Sequence, residues 1–446
     1  MNWKLRLEML SKTCLDCRAG ERVFSAAMSA CFFLVISTFW ILKPLKKAAF
    51  IGQFDEAGVT LFTWHVSASE AELVAKILNM AVAFAAVVVF TWLARRYQRQ
   101  RLVHTFSAFF IACFIAYTFV LGQPSDGTVW TFYLFGDLFS TLMVATFFAF
   151  LNDSVTPDAA KRLYGIVGLG GVVGGVVGST FVSVWVDAVT PAAWLWICVG
   201  ATLGIMLAAE VAARFAPRPD AVRVTASAAA AAPSTGGAAL EGARVVFRSK
   251  YLLAIVAIVG LYEIASTITD FMFTTTITHY LSGPDIGRQF SRVFALTNWV
   301  SMFVQFFLTS LVMTRFGMAT ALMVLPVALL TGSAAFLVVP ILWTGSLLNT
   351  ADNGFSYSIN QSAKEALYVP VARHEKYQAK AFIDMFVQRA AKVVAVLVSL
   401  AVSSMLTDFA SVRWLALVNA AIVAVWIGAA RYAGRSFQPK CNGAVV

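Results

Sequence analysis

The residues in this sequence that could do chemistry are lysines, arginines and carboxylates set inside or beside long apolar runs. The stretch from Asn360 to Lys392 carries Lys364, Glu365, Arg373, Glu375, Lys376, Lys380, Asp384, Arg389 and Lys392 between two such runs. Lys364 and Glu365 close one run, and Asp384 and Arg389 open the next. That places two acid/base pairs at one membrane face, on consecutive helices. Near the start of the chain, Ile41-Leu42-Lys43-Pro44-Leu45-Lys46-Lys47 ends the first run with three ammonium groups. Lys43 and Lys47 lie four apart on one helix face, with Lys46 beside them. Asp137 lies about one and a half turns into the fourth run, with no basic neighbour in sequence. Glu263 and Asp270 lie within the seventh run, seven residues apart and so on one face.

Charge is costly inside a bilayer, so charged residues kept there face a cavity, a partner or water. Clustered ammonium groups suit phosphates as point charges, which points to an anionic small-molecule ligand. Carboxylates beside them fit a large polar ligand, or lysines that must be neutralised when the site is empty. Each feature also has a plainer reading. Arg373 to Lys380 can be a solvated hairpin, the three lysines after Ile41 can snorkel to an interface, and Asp270 can sit at an outer interface. For Lys43, Lys46 and Lys47 the functional reading adds Pro44, bending the helix so that the lysines turn inward. Trp40, Phe135, Phe139 and Tyr262 offer stacking surfaces, with core or lipid-facing roles as the alternative.

Composition sets the class. Apolar residues make 59% of the 446 and charged residues 13%, against roughly 25% charge in soluble domains. The chain is therefore expected to be an all-α polytopic membrane protein, with the lipid bilayer as its partner. Its formal charge of +11 is concentrated in short loops, which reads as a topology signal and not as nucleic-acid binding. Among six cysteines the only close pair is Cys14-x-x-Cys17, without a second pair or a histidine to complete a zinc site. All six are read as reduced thiols, and the four histidines are isolated, so neither metal nor cofactor is implied.

Segments of about 20 apolar residues can span a bilayer. They fall near 24–43, 71–93, 103–122, 131–151, 163–186 and 192–213, then 251–271, 291–313, 319–339, 341–362, 384–405 and 412–432. The expected organisation is a charged amphipathic N-terminus (1–23), a six-helix bundle (24–213), a linker (214–250), a second six-helix bundle (251–432) and a tail (433–446). The linker is rich in Ala, Pro, Ser and Gly and reads as flexible, with a short helix at Leu240–Phe247. Basic residues crowd the loops on one side, at Arg95, Arg96, Arg99 and Arg101, at Lys161 and Arg162, and in the linker and tail. Loops 123–130 and 187–191 hold acids and no bases. Both termini are thus expected in the cytoplasm, with the chain as a monomer in the cell's inner membrane. The N-terminus lacks the marks of a cleaved signal.

The run Gly165-Ile-Val-Gly168-Leu-Gly170-Gly171 through Gly174, Gly175 and Gly178 superficially resembles a phosphate loop. It has no GK[ST] and lies in an apolar span, so its small-xxx-small spacing predicts tight helix packing. With no Walker motif anywhere, nucleotide hydrolysis is excluded and no enzymatic role is expected.

Six plus six spans around a long basic linker resemble the major-facilitator plan, two bundles with a site between them. Specific motifs sharpen this. Leu151-Asn152-Asp153 through Thr156, Lys161-Arg162-Leu-Tyr164 and Gly168 resembles the "N-x-x-x-T-x-x-E-A-K-R-F-Y-x-L-x-G" segment of the nucleotide transporter (ATP:ADP antiporter) family. Ser362-Ala-Lys364-Glu365-Ala-Leu-Tyr368-Val-Pro370 resembles its "K-E-x-x-Y-I-P" signature. Lys380-Ala-Phe-Ile-Asp384 resembles "K-x-x-I-D", and Leu42-Lys43-Pro44-Leu45-Lys46-Lys47 resembles "L-R-x-x-K-D".

The resemblance implies an alternating-access exchanger of nucleotides or other organic phosphates. Lys46, Asp137, Glu263 and Lys364 match four charged positions that the family uses in transport. Lys43, Lys47 and Glu365 would join them at the substrate, while Asp270, Asp384 and Arg389 would form gating ion pairs. Two departures bear on specificity: Lys47 stands where the family has an acid, and Asp137 where it has a glutamate. The competing readings are a proton-coupled facilitator of another solute, with Glu263 or Asp137 carrying the proton, and a membrane scaffold.

Overall fold

Inside hydrocarbon no water is available to satisfy backbone N–H and C=O groups, so apolar runs of spanning length must close their own hydrogen bonds as helices. The computed structural model describes residues 21–443 apart from 62, 98, 156, 217–236, 372 and 406–408. The N-terminal helix expected over 1–23 lies outside the described residues up to position 20, as do the Cys14–Cys17 pair and most of the linker. In chain order the elements are α1 (Arg22–Phe54), a hairpin of β1 (Val59–Leu61) and β2 (Trp64–Val66), α2 (Ala68–Arg96), α3 (Arg99–Val120), α4 (Asp126–Ser154), α5 (Pro157–Trp185) and α6 (Pro191–Arg214). Then come α7 (Gly237–Arg248), α8 (Lys250–Tyr280), α9 (Pro284–Arg315), α10 (Gly317–Val338), α11 (342–366), α12 (373–405) and α13 (Ala410–Gly443). Helix α7 fulfils the short helix expected in the linker.

Among the described residues eleven helices are long and apolar enough to cross a membrane. The twelfth predicted span is α11, which the apolar criterion misses because it carries Asn349, Asp352, Asn353, Ser356, Asn360 and Lys364. Helix α1 continues past its lysines, as the helix face shared by Lys43 and Lys47 implied. It runs through Pro44 to Phe54, so Lys43, Lys46 and Lys47 lie within the helix. Proline removes one backbone donor there without ending the rod, because the rest of the turn is packed.

The chain forms two compact units. The first takes the described residues of Met1–Gln53, Leu78–Ala226 and Phe290–Ala295; the second takes those of Phe54–Ile77, Ser227–Gln289 and Leu296–Val446. In the first, phenylalanines interlock: Phe110 and Phe114 each stack edge-on or tilted against Phe135 and Phe139, with centroids 4.9–5.7 Å apart. The glycine run of α5 packs on α1 as predicted. A Cβ at Gly170, Gly174 or Gly178 would lie 2.3, 2.4 or 2.6 Å from the carbonyl oxygens of Ser29, Phe33 and Ser37. The Ser37 hydroxyl donates to the Gly174 carbonyl at 3.0 Å, a bond that only such close backbones permit.

In the second unit, α8, α10 and α13 surround a buried polar staple. The Asn419 amide donates to Thr269 and Ser333, each at 3.1 Å. Among the described residues this unit also holds three π turns, at Val304–Thr309, Ser356–Asn360 and Ile383–Val387. Each inserts one residue per turn and shifts the face that follows, a device common at functional sites.

Candidate functional site

The first unit contains a lysine cluster on α1 facing α4. Lys46 and Lys47 are 5% and 4% exposed, so they do not snorkel to an interface. Lys46 forms an ion pair with Asp137 on α4, and its Nζ lies 4.4 Å from the centroid of the Tyr133 ring. The other Asp137 carboxylate oxygen accepts from the Asn79 side-chain amide of α2. Lys43 is cupped by Trp40 and Phe294, with its Nζ 4.5 and 4.7 Å from their centroids, and Lys47 lies 5.0 Å from that of Phe290. Each ammonium thus faces the negative face of an aromatic ring, which stabilises a desolvated cation. Asp137, which had no basic neighbour in sequence, owes its partner to helix packing. Phe135 and Phe139, offered as stacking surfaces, are buried core residues; Trp40 instead faces Lys43.

In the second unit the carboxylates of α8 share one face, as their spacing predicted, but take different partners. Glu263 lies 3.6 Å from Lys392 of α12. Asp270 binds Lys76 of α2 at 2.5 Å and accepts from Asn349 of α11 at 3.4 Å. Beside it Ser266 donates to the fully buried Asp352 at 2.6 Å, and Tyr262 and Ser356 share a hydrogen bond at 2.5 Å. Further contacts continue along α2 and α8. Thr274 donates to Glu72 at 3.1 Å, and Ser69 meets Thr278 at 3.4 Å.

The pairs expected in the Asn360–Lys392 stretch are re-sorted. Adjacent helical residues point about 100° apart, so Lys364 and Glu365 cannot pair with each other, and each looks to α12. Glu365 binds Lys380 at 2.5 Å. Within α12 but ahead of its apolar stretch Gln388–Met405, Asp384 is exposed by area. Desolvation holds that carboxyl above its usual range, and the Lys364 and Lys380 ammonium groups pull it back. Arg389 is half-buried and makes no ion pair among the described residues.

Sequence reasoning passed over Glu72, Lys76, Asn79, Asp352 and Lys392 as site residues. Glu72 and Lys76 stand four apart within a predicted span, so the cost argument that selected Glu263 could have found them. Lys392 and Asp352 likewise lie inside predicted spans, at 384–405 and 341–362, whereas the neutral Asn79 carries no such signal.

The Major Facilitator Superfamily model matches residues 24–372, and a model described as TLC ATP/ADP transporter matches 337–437. The chain is 23% identical to ADP,ATP carrier protein 1, chloroplastic, of Arabidopsis thaliana, over 90% of this chain and 72% of that protein. It is 21% identical to ADP,ATP carrier protein 2 of Chlamydia pneumoniae, over 80% of each. Among solved structures, the nucleoside transporter NupG superposes with a TM-score of 0.63 at 13% identity, covering 92% of this chain and 98% of that one. A bacterial homologue of the lysosomal transporter Spinster gives 0.58 at 13% identity, over 95% and 99%.

Proposed function

Because this chain belongs to the Major Facilitator Superfamily, we propose that it is a secondary transporter exchanging nucleotides or related organic phosphates across the membrane. The observation that carries this reading is the buried Lys46–Asp137 pair, with Lys43 and Lys47 on the same helix. The named ADP,ATP carriers among its relatives support the nucleotide as the anion. Ammonium groups clustered on one helix suit a phosphate as point charges.

The pair also gives a physical reason for exchange. Removing one partner of a buried ion pair costs about 3–5 kcal/mol, so Lys46 must stay paired at every stage. An incoming phosphate replaces the Asp137 carboxylate at Lys46, and on release the carboxylate returns. In the second unit, Glu263–Lys392 and Asp270–Lys76 are further pairs that an anion can open in the same manner. Residues outside the spans carry the orientation signal: basic loops support a reading with both termini in the cytoplasm and the chain as a monomer in the inner membrane.

The test is uptake of labelled ATP into proteoliposomes preloaded with ADP, with phosphate or with nothing, with and without a pH gradient. Exchange predicts uptake only with an internal counter-anion and no need of the gradient. Gradient-driven uptake into empty vesicles would instead support proton coupling.

A further inference from the structure

We propose that Gly136 and Asn79 are positioning residues for the Lys46–Asp137 pair: Gly136 sets the ammonium and Asn79 sets the carboxylate. The proposal rests on reading that pair as the place where phosphate binds. Tyr133, Gly136 and Asp137 occupy positions i, i+3 and i+4 of α4 and so share one face. The Lys46 stem lies across that face in the space left by the missing side chain. A Cβ at Gly136 would stand 2.6 Å from Lys46 Cδ and 3.5 Å from its Cγ, well inside van der Waals contact. Lys46 is 5% exposed, its ammonium is held by Asp137, and the Tyr133 ring lies under that ammonium. A methyl group at position 136 therefore forces the Lys46 stem to shift, and the ammonium with it.

Asn79 acts on the other half of the pair. Lys46 engages Asp137 Oδ1, while the Asn79 amide donates to Oδ2. The Ser140 and Thr141 hydroxyls bind the Asp137 backbone carbonyl, so they do nothing for the carboxylate. When a phosphate takes Lys46, the Asn79 hydrogen bond is what remains to Asp137, and it keeps the displaced carboxylate oriented for return. A neutral amide suits this task, because a cation there would compete for the phosphate.

Two double-mutant cycles test the assignment, since coupling between sites exposes a residue that acts through another. In the first, the melting temperature of purified protein is compared for Gly136→Ala alone and in the Lys46→Ala background. The substitution is expected to destabilise the native sequence and to cost nothing once the lysine stem is gone. Equal destabilisation in both backgrounds would overturn the role of Gly136, and this readout needs no transport. In the second, ATP uptake is compared for Asn79→Ala alone and with Asp137→Asn. Asn79→Ala is expected to raise KM about tenfold with kcat retained, and to add nothing in the Asp137→Asn protein. Additive effects would overturn the role of Asn79. Gly127→Ala, on the same helix where a Cβ meets open space, should behave as wild type, and Gly136→Ala should raise KM about tenfold. Wild-type protein that takes up no nucleotide would sink the functional reading itself, whereas normal uptake with an unchanged KM in Gly136→Ala would sink only the positioning.

Discussion

At the scale of residues, the lysines of α1 show how a membrane protein keeps cations away from water. Each faces an aromatic ring, and Lys46 also pairs with a carboxylate of α4. Asp137 then serves two ends, neutralising Lys46 and vacating it. Its replacement by Asn should leave a buried ammonium without its anion and lower stability by about 3–5 kcal/mol. The same change removes the competitor for phosphate, so added ATP should raise the melting temperature more in Asp137→Asn than in wild type. A thermal-shift titration of both proteins measures this, and equal ligand shifts would exclude Asp137 as the competing anion. Lys46→Gln should weaken uptake by about 10- to 100-fold, the value of one charge-assisted hydrogen bond, read as KM in proteoliposomes.

At the scale of elements, the first turns of α2 lie along the last turns of α8 as an antiparallel polar ladder. Ser69 meets Thr278, Glu72 meets Thr274 and Lys76 meets Asp270, residues that all belong to the second unit. Hydroxyls occupy the end near Tyr280, and the charged rung is the deepest. Polar contacts between membrane helices are worth about 0.6 kcal/mol each on average, strong enough to hold a register and weak enough to part. If these turns separate during transport, a cysteine pair at Ser69 and Thr278 should abolish uptake on oxidation and restore it on reduction. Either cysteine alone should transport normally. Full uptake by the oxidised protein would show the ladder to be static. On α5 the glycines have a different task, since Gly174→Ala would put a methyl 2.4 Å from the Phe33 carbonyl. Loss of folded protein is the expected outcome, seen as early elution or aggregation on size exclusion.

At the scale of the whole molecule, charge is shared unevenly between the two units. The first carries three lysines close together on α1. The second holds Glu72, Glu263, Asp270 and Asp352 against Lys76 and Lys392. In the second unit Lys364, near the end of α11, acts electrostatically on Asp384 of α12. Lys364→Ala should abolish uptake while expression is unchanged; normal uptake would remove this residue from the transport path.

The sequence by itself determined the class, the helices and the list of costly charges. Apolar runs of spanning length admit only helices in hydrocarbon, and glycines four apart admit close packing. Charges inside such runs stand out without any structure, as Lys46, Asp137, Glu263 and Asp270 did. Tertiary structure decided who pairs with whom. Lys46 and Asp137 lie far apart in the chain, Lys76 reaches Asp270 from another helix, and Glu365 takes Lys380 in place of a neighbour. Local spacing records only which residues share a face of one helix. Which faces meet depends on how every side chain in the core packs at once. The same holds for α1 beyond Pro44, where snorkelling lysines and lysines turned inward were both open. The helix continues there because aromatic rings and a carboxylate from other segments make the lysines' burial tolerable.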